Sequence, residues 1–416
     1  MTKHLYIRVP ADKSISHRAI ILNALSGGRA KVHNILLSQD VLATLDCVQR
    51  LGCAVDIEGT TATIRAISNL YSDIVLDCCN SGTTMRLMAG FLASVAGCNT
   101  RLIGDNSLSR RPMMRVAEPL RDRGADIVDT DGTAPLTIYG KSLQSLTYTM
   151  PIASAQVKSA ILLSGLKARG DTIVHQPNFS RNHTELMMQA MRCDIVMDQL
   201  TIKLNPCKVH AKDINVPGDM SSAAFWMVLA IVRPGTIITL QDVCVNPTRI
   251  GILQVLDQIG ANYLVHNKKK DIEDIADITV EYTPYLKPFV IGKSMIPYLI
   301  DELPILALLA CYCDGTSTVH DAQELRVKET DRISAIVHNL IAIGADITET
   351  QYGFIVKPSR LHGNVTVDSR FDHRIAMTME IANILLGNIT VIDKRCIAVS
   401  YPNWNEDCAK FVGVYQ

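Results

Sequence analysis

The sequence is poor in aromatic residues, balanced in charge and free of long apolar runs. Aromatic side chains make up 5% of the 416 residues and Trp occurs twice, within a composition that is 48% hydrophobic and 20% charged, that of a soluble globular protein. Lys+Arg and Asp+Glu both count 41 and the pI is about 7.1, so no global field favours nucleic acid or a membrane surface. Any positive site must be local. The apolar runs 223–232 and 305–311 are too short to span a bilayer and read as buried helices. The start, Met1-Thr2-Lys3-His4-Leu5-Tyr6, has no apolar signal core, so export is not expected. Twelve cysteines are scattered without a C-x-x-C pair; Cys311 and Cys313 bracket one residue, a weak zinc signal. Reduced thiols in a cytoplasmic protein without a metal are expected. At this length one core is too few, and two domains are expected.

What the chain does contain is a repeat. A helix-like segment ending in a turn of the type Gly-Ala-Asp-Ile recurs at Gly52, Gly124, Arg192, Gly260 and Gly344, in steps of 68 to 84 residues. A second signal, an apolar helix closed by a polar turn and followed by a β-branched run, occurs six times, near residues 26–32, 96–103, 168–174, 233–238, 314–319 and 386–391. Each unit of about seventy residues therefore reads strand, helix, strand, helix, paired strands.

The starts of these helices carry the chemistry. First helices open at Asp12-Lys13-Ser14, Asn80-Ser81-Gly82-Thr83-Thr84, Ser154-Ala155-Gln156, Gly218-Asp219-Met220-Ser221-Ser222, Asp301-Glu302 and Asp372-His373-Arg374. Second helices open at Ser38-Gln39-Asp40, Arg110-Arg111-Pro112, Ser180-Arg181-Asn182-His183, Asn246-Pro247-Thr248-Arg249, Lys328-Glu329-Thr330-Asp331-Arg332 and Tyr401-Pro402-Asn403-Trp404. Capping accounts for the Ser, Thr, Asp and Asn. It does not account for Lys13, Arg18, Arg111, Lys328, Arg332 and Arg374, since a cation at a helix N-terminus opposes the dipole by about 0.3 to 1 kcal/mol. That cost, repeated from unit to unit, points to a ligand with several anionic groups.

Taken together and in order, these segments resemble the 5-enolpyruvylshikimate-3-phosphate synthase family of enolpyruvyl transferases. The resemblance rests on Lys13-Ser14-Ile15-Ser16-His17-Arg18, Asn80 to Arg86, Arg111-Pro112-Met113, Ser154-Ala155-Gln156, Gly218-Asp219 with Ser221 and Ser222, Asp301-Glu302, Leu325 to Arg332 and Asp372-His373-Arg374. It implies an α/β fold, a two-domain inverse α/β barrel in which each domain holds three βαβαββ repeats and the helix N-termini face the interdomain cleft. The implied domains are 13–216, on the shikimate-3-phosphate side, and a discontinuous one of 1–12 with 217–416, on the phosphoenolpyruvate and catalytic side. The implied reaction joins phosphoenolpyruvate to shikimate-3-phosphate and releases phosphate, with no metal or organic cofactor, and the chain is expected to act as a monomer.

Carried over position by position, the resemblance has Lys13, Arg111, Arg332 and Arg374 grip phosphoenolpyruvate. Ser14, Arg18, Ser154, Gln156, Ser180 and Lys328 hold shikimate-3-phosphate, with Asn80, Thr83, Ala155, His183 and Glu324 among the substrate-binding positions. Asp301 takes the 5-hydroxyl proton, Glu329 and Lys13 move protons at the enolpyruvyl group, and His373 supports them. Gly82 lies where glyphosate, a phosphoenolpyruvate mimic, would pack. Five positions depart from the familiar pattern: Val399 where many members carry Lys, Glu324 for Asn, Ala155 for Ser, His183 at an aromatic position, and Asp12 for a small neutral residue. The sister chemistry on a UDP-amino sugar would require Lys-Asn at the first helix and a reactive Cys near Arg110 and Arg111; neither is present. A binding scaffold that kept the fold without turnover is the third reading, and it predicts shikimate-3-phosphate binding without phosphate release.

Overall fold

The computed structural model describes residues 3–415. The chain forms two compact units, one of Met1–Pro10 with Pro217–Gln416 and the other of Ala11–Val216. The first crossing thus falls after Pro10, and Asp12 belongs to the second unit. The reason is local: its carboxylate accepts the Ile15 N–H at 2.9 Å and caps helix α1 (Lys13–Leu25).

The Ala11–Val216 unit also carries α2 (Gln39–Arg50), α3 (Gly82–Ala93), α4 (Met114–Asp122), α5 (Ala155–Gly165) and α6 (His183–Ala190). Its three sheets share one pattern. In each, a first strand pairs in parallel with a second, and an antiparallel hairpin completes four strands. The sheets run Ile214–Asn215, Arg29–His33, Thr61–Arg65, Ala54–Glu58; then Ile74–Asp77, Asn99–Ile103, Thr133–Tyr139, Asp126–Thr130; then Gln144–Thr149, Arg169–His175, Thr201–Leu204, Ile195–Asp198.

The other unit carries α7 (Met220–Val232), α8 (Gly251–Ile259), the four-residue α9 (Ile296–Leu299), α10 (Leu303–Ala310), α11 (Arg332–Ala342), α12 (His373–Leu386) and α13 (Trp404–Tyr415). Here the N-terminal strand Leu5–Ile7 pairs in parallel with Ile237–Cys244, Leu5 opposite Ile238 and Ile7 opposite Leu240. Two four-stranded sheets follow the same pattern as before. The sixth repeat stops at the parallel pair Val365–Asp368 and Ile389–Ile392, and in the chain α13 follows it in place of a hairpin. No helix among the described residues is long and apolar enough to cross a membrane.

The two apolar runs are α7 and α10, buried along their whole length as an all-round hydrophobic helix must be. Cys311 and Cys313 close α10 with both thiols buried, each donating to a helix carbonyl, of Ala307 and Leu309. The helix-end turns are left-handed as their glycines predict, with φ of 103° at Gly52, 96° at Gly124, 72° at Gly260 and 92° at Gly344. In the third repeat Arg192 takes the same conformation, φ 62°, without the glycine.

Helices α3 and α5 touch backbone to backbone, because a Cβ on Gly90 would lie 2.2 Å from the Ala160 carbonyl oxygen. Gly90→Ala is expected to force the helices apart and cost about 1 to 3 kcal/mol. Urea unfolding measures it, and an unchanged midpoint would show that α3 slides freely.

Candidate active site

In the Ala11–Val216 unit the polar side chains gather at the first turns of the helices. Lys13 opens α1, with its Nζ 2.9 Å from the carboxylate of Asp40, which is buried in the first turn of α2. Arg18 is buried and donates to Thr184 Oγ1 (2.7 Å), Ser159 Oγ (2.9 Å) and the Ser14 carbonyl (2.9 Å), which ties α1 to α5 and α6. Ser14 Oγ accepts from Arg181 Nη1 at 3.3 Å, so a second cation stands beside the serine. Ser154 caps α5 by accepting the Val157 N–H at 3.4 Å, Ala155 is the first residue of that helix, and the buried His183 is the first of α6.

Arg111 is not at a helix start. It follows the 3-10 turn Leu108–Arg110, and α4 begins only at Met114, because Pro112 favours extended backbone at the preceding residue. Its Nη2 reaches Asn80 Oδ1 at 2.7 Å and its Nη1 the Asn80 carbonyl at 3.2 Å, which delivers the charge to the start of α3 instead. Gly82 sits there: a Cβ would lie 2.9 Å from Arg86 Nη1 and 3.5 Å from Arg111 Nη1. Arg86 Nη1 donates to Gln156 Oε1 at 2.6 Å, and Gln156 Nε2 donates to Thr83 Oγ1 at 2.9 Å. Two guanidiniums therefore converge on one small residue, with the Gln156 amide joining Arg86 to Thr83 beside it.

Two buried networks support this half. His17 Nδ1 lies 2.7 Å from Thr44 Oγ1, which lies 2.7 Å from Thr84 Oγ1, which donates to Ser81 Oγ at 2.7 Å. Burial, with Lys13 and Arg18 adding to it, pushes the His17 imidazole well below its ordinary pKa, so it serves as a neutral strut. Lys158 Nζ lies 2.7 Å from Glu185 Oε1 with both groups buried, and also donates to the Ser180 carbonyl at 3.3 Å. Ser180 Oγ in turn donates to Gln176 Oε1 at 2.9 Å.

In the other unit the charges form one cluster around Arg332, the first residue of α11. Its Nε donates to Asp372 at 2.7 Å, its Nη2 to Glu329 at 2.6 Å and its Nη1 to Asp301 at 3.2 Å. Burial disfavours the Arg332 charge, yet Asp372, Glu329 and Asp301 together hold its pKa above the ordinary value. Arg374 adds its Nε 3.4 Å from Asp301 Oδ1 and its Nη1 3.3 Å from the Asp301 carbonyl. Asp372 caps α12, whose first residue is the buried His373. Burial, opposed by Asp301, Glu329 and Glu324 and reinforced by Arg332, brings the Lys328 ammonium down to about 8. Arg326 clamps the segment before α11, with Nη1 2.7 Å from Asp331 and 2.9 Å from Glu349 and the guanidinium also donating to the Thr350 and Gln351 carbonyls. Glu324 lies in the 3-10 turn Gln323–Val327, and Val399 ends the turn Lys394–Val399. Among the described residues no three His, Cys, Asp or Glu side chains form a metal-ligand group.

The named positions thus fall into two sets, each assembled within its own unit. Arg86, Arg181, Asp40 and the pair Lys158–Glu185 join them as residues that helix-start reasoning passed over. Arg86, Arg181 and Asp40 stood inside segments already singled out, whereas Lys158 and Glu185 fall just past the opening residues of α5 and α6.

A family model described as EPSP synthase (3-phosphoshikimate 1-carboxyvinyltransferase) matches residues 4–408. The chain belongs to this family. It is 43% identical to the 3-phosphoshikimate 1-carboxyvinyltransferase of Synechococcus sp. strain RCC307 over 98% of this chain and 96% of the relative. Against the Geobacillus kaustophilus enzyme of the same name the identity is 44%, covering 96% of both. The solved EPSP synthase of Acinetobacter baumannii superposes with a TM-score of 0.86 at 37% identity, covering 98% of this chain and 96% of that one. The enolpyruvyl transferase NikO of Streptomyces tendae, 17% identical with a TM-score of 0.77 over 97% of this chain and 94% of its own, shares the fold. The two-domain inverted α/β architecture that the resemblance implied is therefore that of the family.

Glu185→Gln is expected to leave the Lys158 ammonium buried without its counter-charge and to cost about 3 to 5 kcal/mol in urea unfolding. A loss below about 1 kcal/mol would mean that Lys158 finds water or another acceptor.

Proposed function

We infer that this chain is a carboxyvinyl transferase that moves the enolpyruvyl group of phosphoenolpyruvate to the 5-hydroxyl of shikimate-3-phosphate and releases phosphate, a step of aromatic amino acid biosynthesis. The observation that carries the site assignment is the position of Asp301, a carboxylate within 3.4 Å of two arginines in a cluster otherwise suited to anions. Lys13, Arg111, Arg332 and Arg374 supply the charge for the phosphate and carboxylate of phosphoenolpyruvate. Ser14, Arg18, Ser154, Gln156, Ser180 and Lys328, with Arg181 added from its contact to Ser14, hold shikimate-3-phosphate.

An anion arriving on Arg332 and Arg374 competes for the N–H donors that now hold Asp301. The freed carboxylate takes the proton of the 5-hydroxyl, whose oxygen adds to C2 of phosphoenolpyruvate while Glu329 or Lys13 delivers a proton to the methylene carbon. The tetrahedral adduct then loses a methyl proton and expels phosphate, and the cations stabilise the charge that develops on the leaving group. The sister reaction on a UDP-amino sugar is disfavoured by Ser14 and by the lack of a cysteine at 104–113. The twelve free thiols support a reducing, cytoplasmic setting.

Phosphate release from both substrates, with proton NMR of the enolpyruvyl product, tests the reaction. Asp301→Ala should abolish release while phosphoenolpyruvate binding persists, and near-normal turnover would remove Asp301 from the mechanism. Silence of the wild-type protein, with shikimate-3-phosphate still bound, would establish the scaffold reading.

Lys328 gives a pH signature. It is charged below about 8 and neutral above it, so shikimate-3-phosphate affinity should fall by roughly tenfold between pH 7 and 9, the loss of one charge-assisted contact. Calorimetric titration across that range checks it, and an equal fall in Lys328→Met would assign the effect to another group.

A further inference from the structure

A second buried ion cluster lies beside Asp301, formed by Glu302, Arg249, Ser221 and Asp219. Glu302, the next residue, is fully buried, and its carboxylate accepts from Ser221 Oγ and lies 3.8 Å from Arg249 Nη1. Arg249, also buried, donates through Nη2 to Ser221 Oγ at 2.8 Å and to Asp219 Oδ1 at 2.6 Å. Asp219 is itself fixed: Oδ1 accepts the Ser221 N–H at 2.8 Å, and its own N–H donates to the Pro10 carbonyl at 2.8 Å. The Glu302 backbone is held as firmly, its N–H to the Leu299 carbonyl at 2.8 Å and its carbonyl to the Leu306 N–H at 3.0 Å. Two carboxylates and one guanidinium are thus buried together in an apolar unit. Asp219 caps α7, but apolar residues of the same shape commonly stabilise a buried pair as well or better, so stability alone gives no reason for Glu302 and Arg249.

We propose that Glu302 and Arg249 are positioning residues for Asp301. The proposal rests on the reading of Asp301 as the base. Asp301 is now aimed by Arg332 and Arg374, and those two cations change partners when phosphoenolpyruvate binds. The turn is also tethered at Glu302, held by Ser221 and Arg249 to the first turn of α7 and the segment before α8. An anchor independent of substrate keeps the base in place during the step in which it acts.

The test compares Glu302→Gln, which keeps an acceptor for Ser221 but removes the charge facing Arg249, with Arg249→Lys and Arg249→Met. Folding is read from the fluorescence of Trp226 and Trp404, both in the same unit. Expected for Glu302→Gln and Arg249→Met is a kcat per folded molecule lower by roughly 10- to 100-fold, the cost of about 1 Å of misplacement. KM for both substrates should stay within about threefold, with the acid limb of the kcat–pH profile displaced and Arg249→Lys recovering part of the loss. Folded Glu302→Gln and Arg249→Lys with wild-type kcat and pH profile would overturn the proposal. If Glu302→Gln fails to fold, Arg249→Lys alone decides by the same two readouts. Asp301→Ala separates the two claims: its activity would sink the base assignment, whereas its inactivity beside unaffected Glu302 and Arg249 variants sinks only the positioning role.

Discussion

A helix buried along its whole length has unpaired backbone groups only at its ends, and that constraint arranges much else in this protein. In α7 and α10 every residue is buried, and in α12 and α3 nearly so. The first turn of such a helix has N–H groups with no intrahelical partner, and caps such as Asp12, Ser81, Ser154, Asp219 and Asp372 satisfy part of the need. Because the repeat supplies such a turn again and again, positive ends and cations accumulate at one kind of place. The cost of a cation against the dipole is offset by carboxylates, as at Arg332, where three acids more than compensate burial.

The cations are not equivalent. Lys13 and Arg332 already carry carboxylate partners, so an incoming anion exchanges one negative partner for another. Lys328 is different, since burial exceeds the help it receives and its charge is poised near 8. Glu324 acquires a role from this comparison. Where an Asn is familiar, this acid raises the Lys328 pKa, though less than Asp301 and Glu329 do.

Arginine does most of the structural work at these helix starts. Arg18, Arg86, Arg111, Arg249, Arg326 and Arg332 each join segments distant in the chain, Arg18 and Thr184 being 166 residues apart. Its planar fork satisfies several acceptors at once and keeps its charge when buried, which lysine does less well. Lys158 is the exception, and it is held by a buried glutamate at 2.7 Å.

By itself the sequence determined the period of about seventy residues, the left-handed turns, the buried helices and the polar starts of those helices. All of these are set by residues within a few positions of one another, through apolar spacing, glycine at a helix end and capping side chains. Tertiary structure alone decided that Arg111 serves the start of α3 rather than a helix of its own, and that Arg192 tolerates a conformation its neighbours give to glycine. It also decided the partners of Lys158 and Arg249. A side chain in a helix or an irregular segment has no local mark of the carboxylate it will meet, because that choice is made by packing and desolvation when distant repeats come together, as Ser221 and Glu302 do across 81 residues.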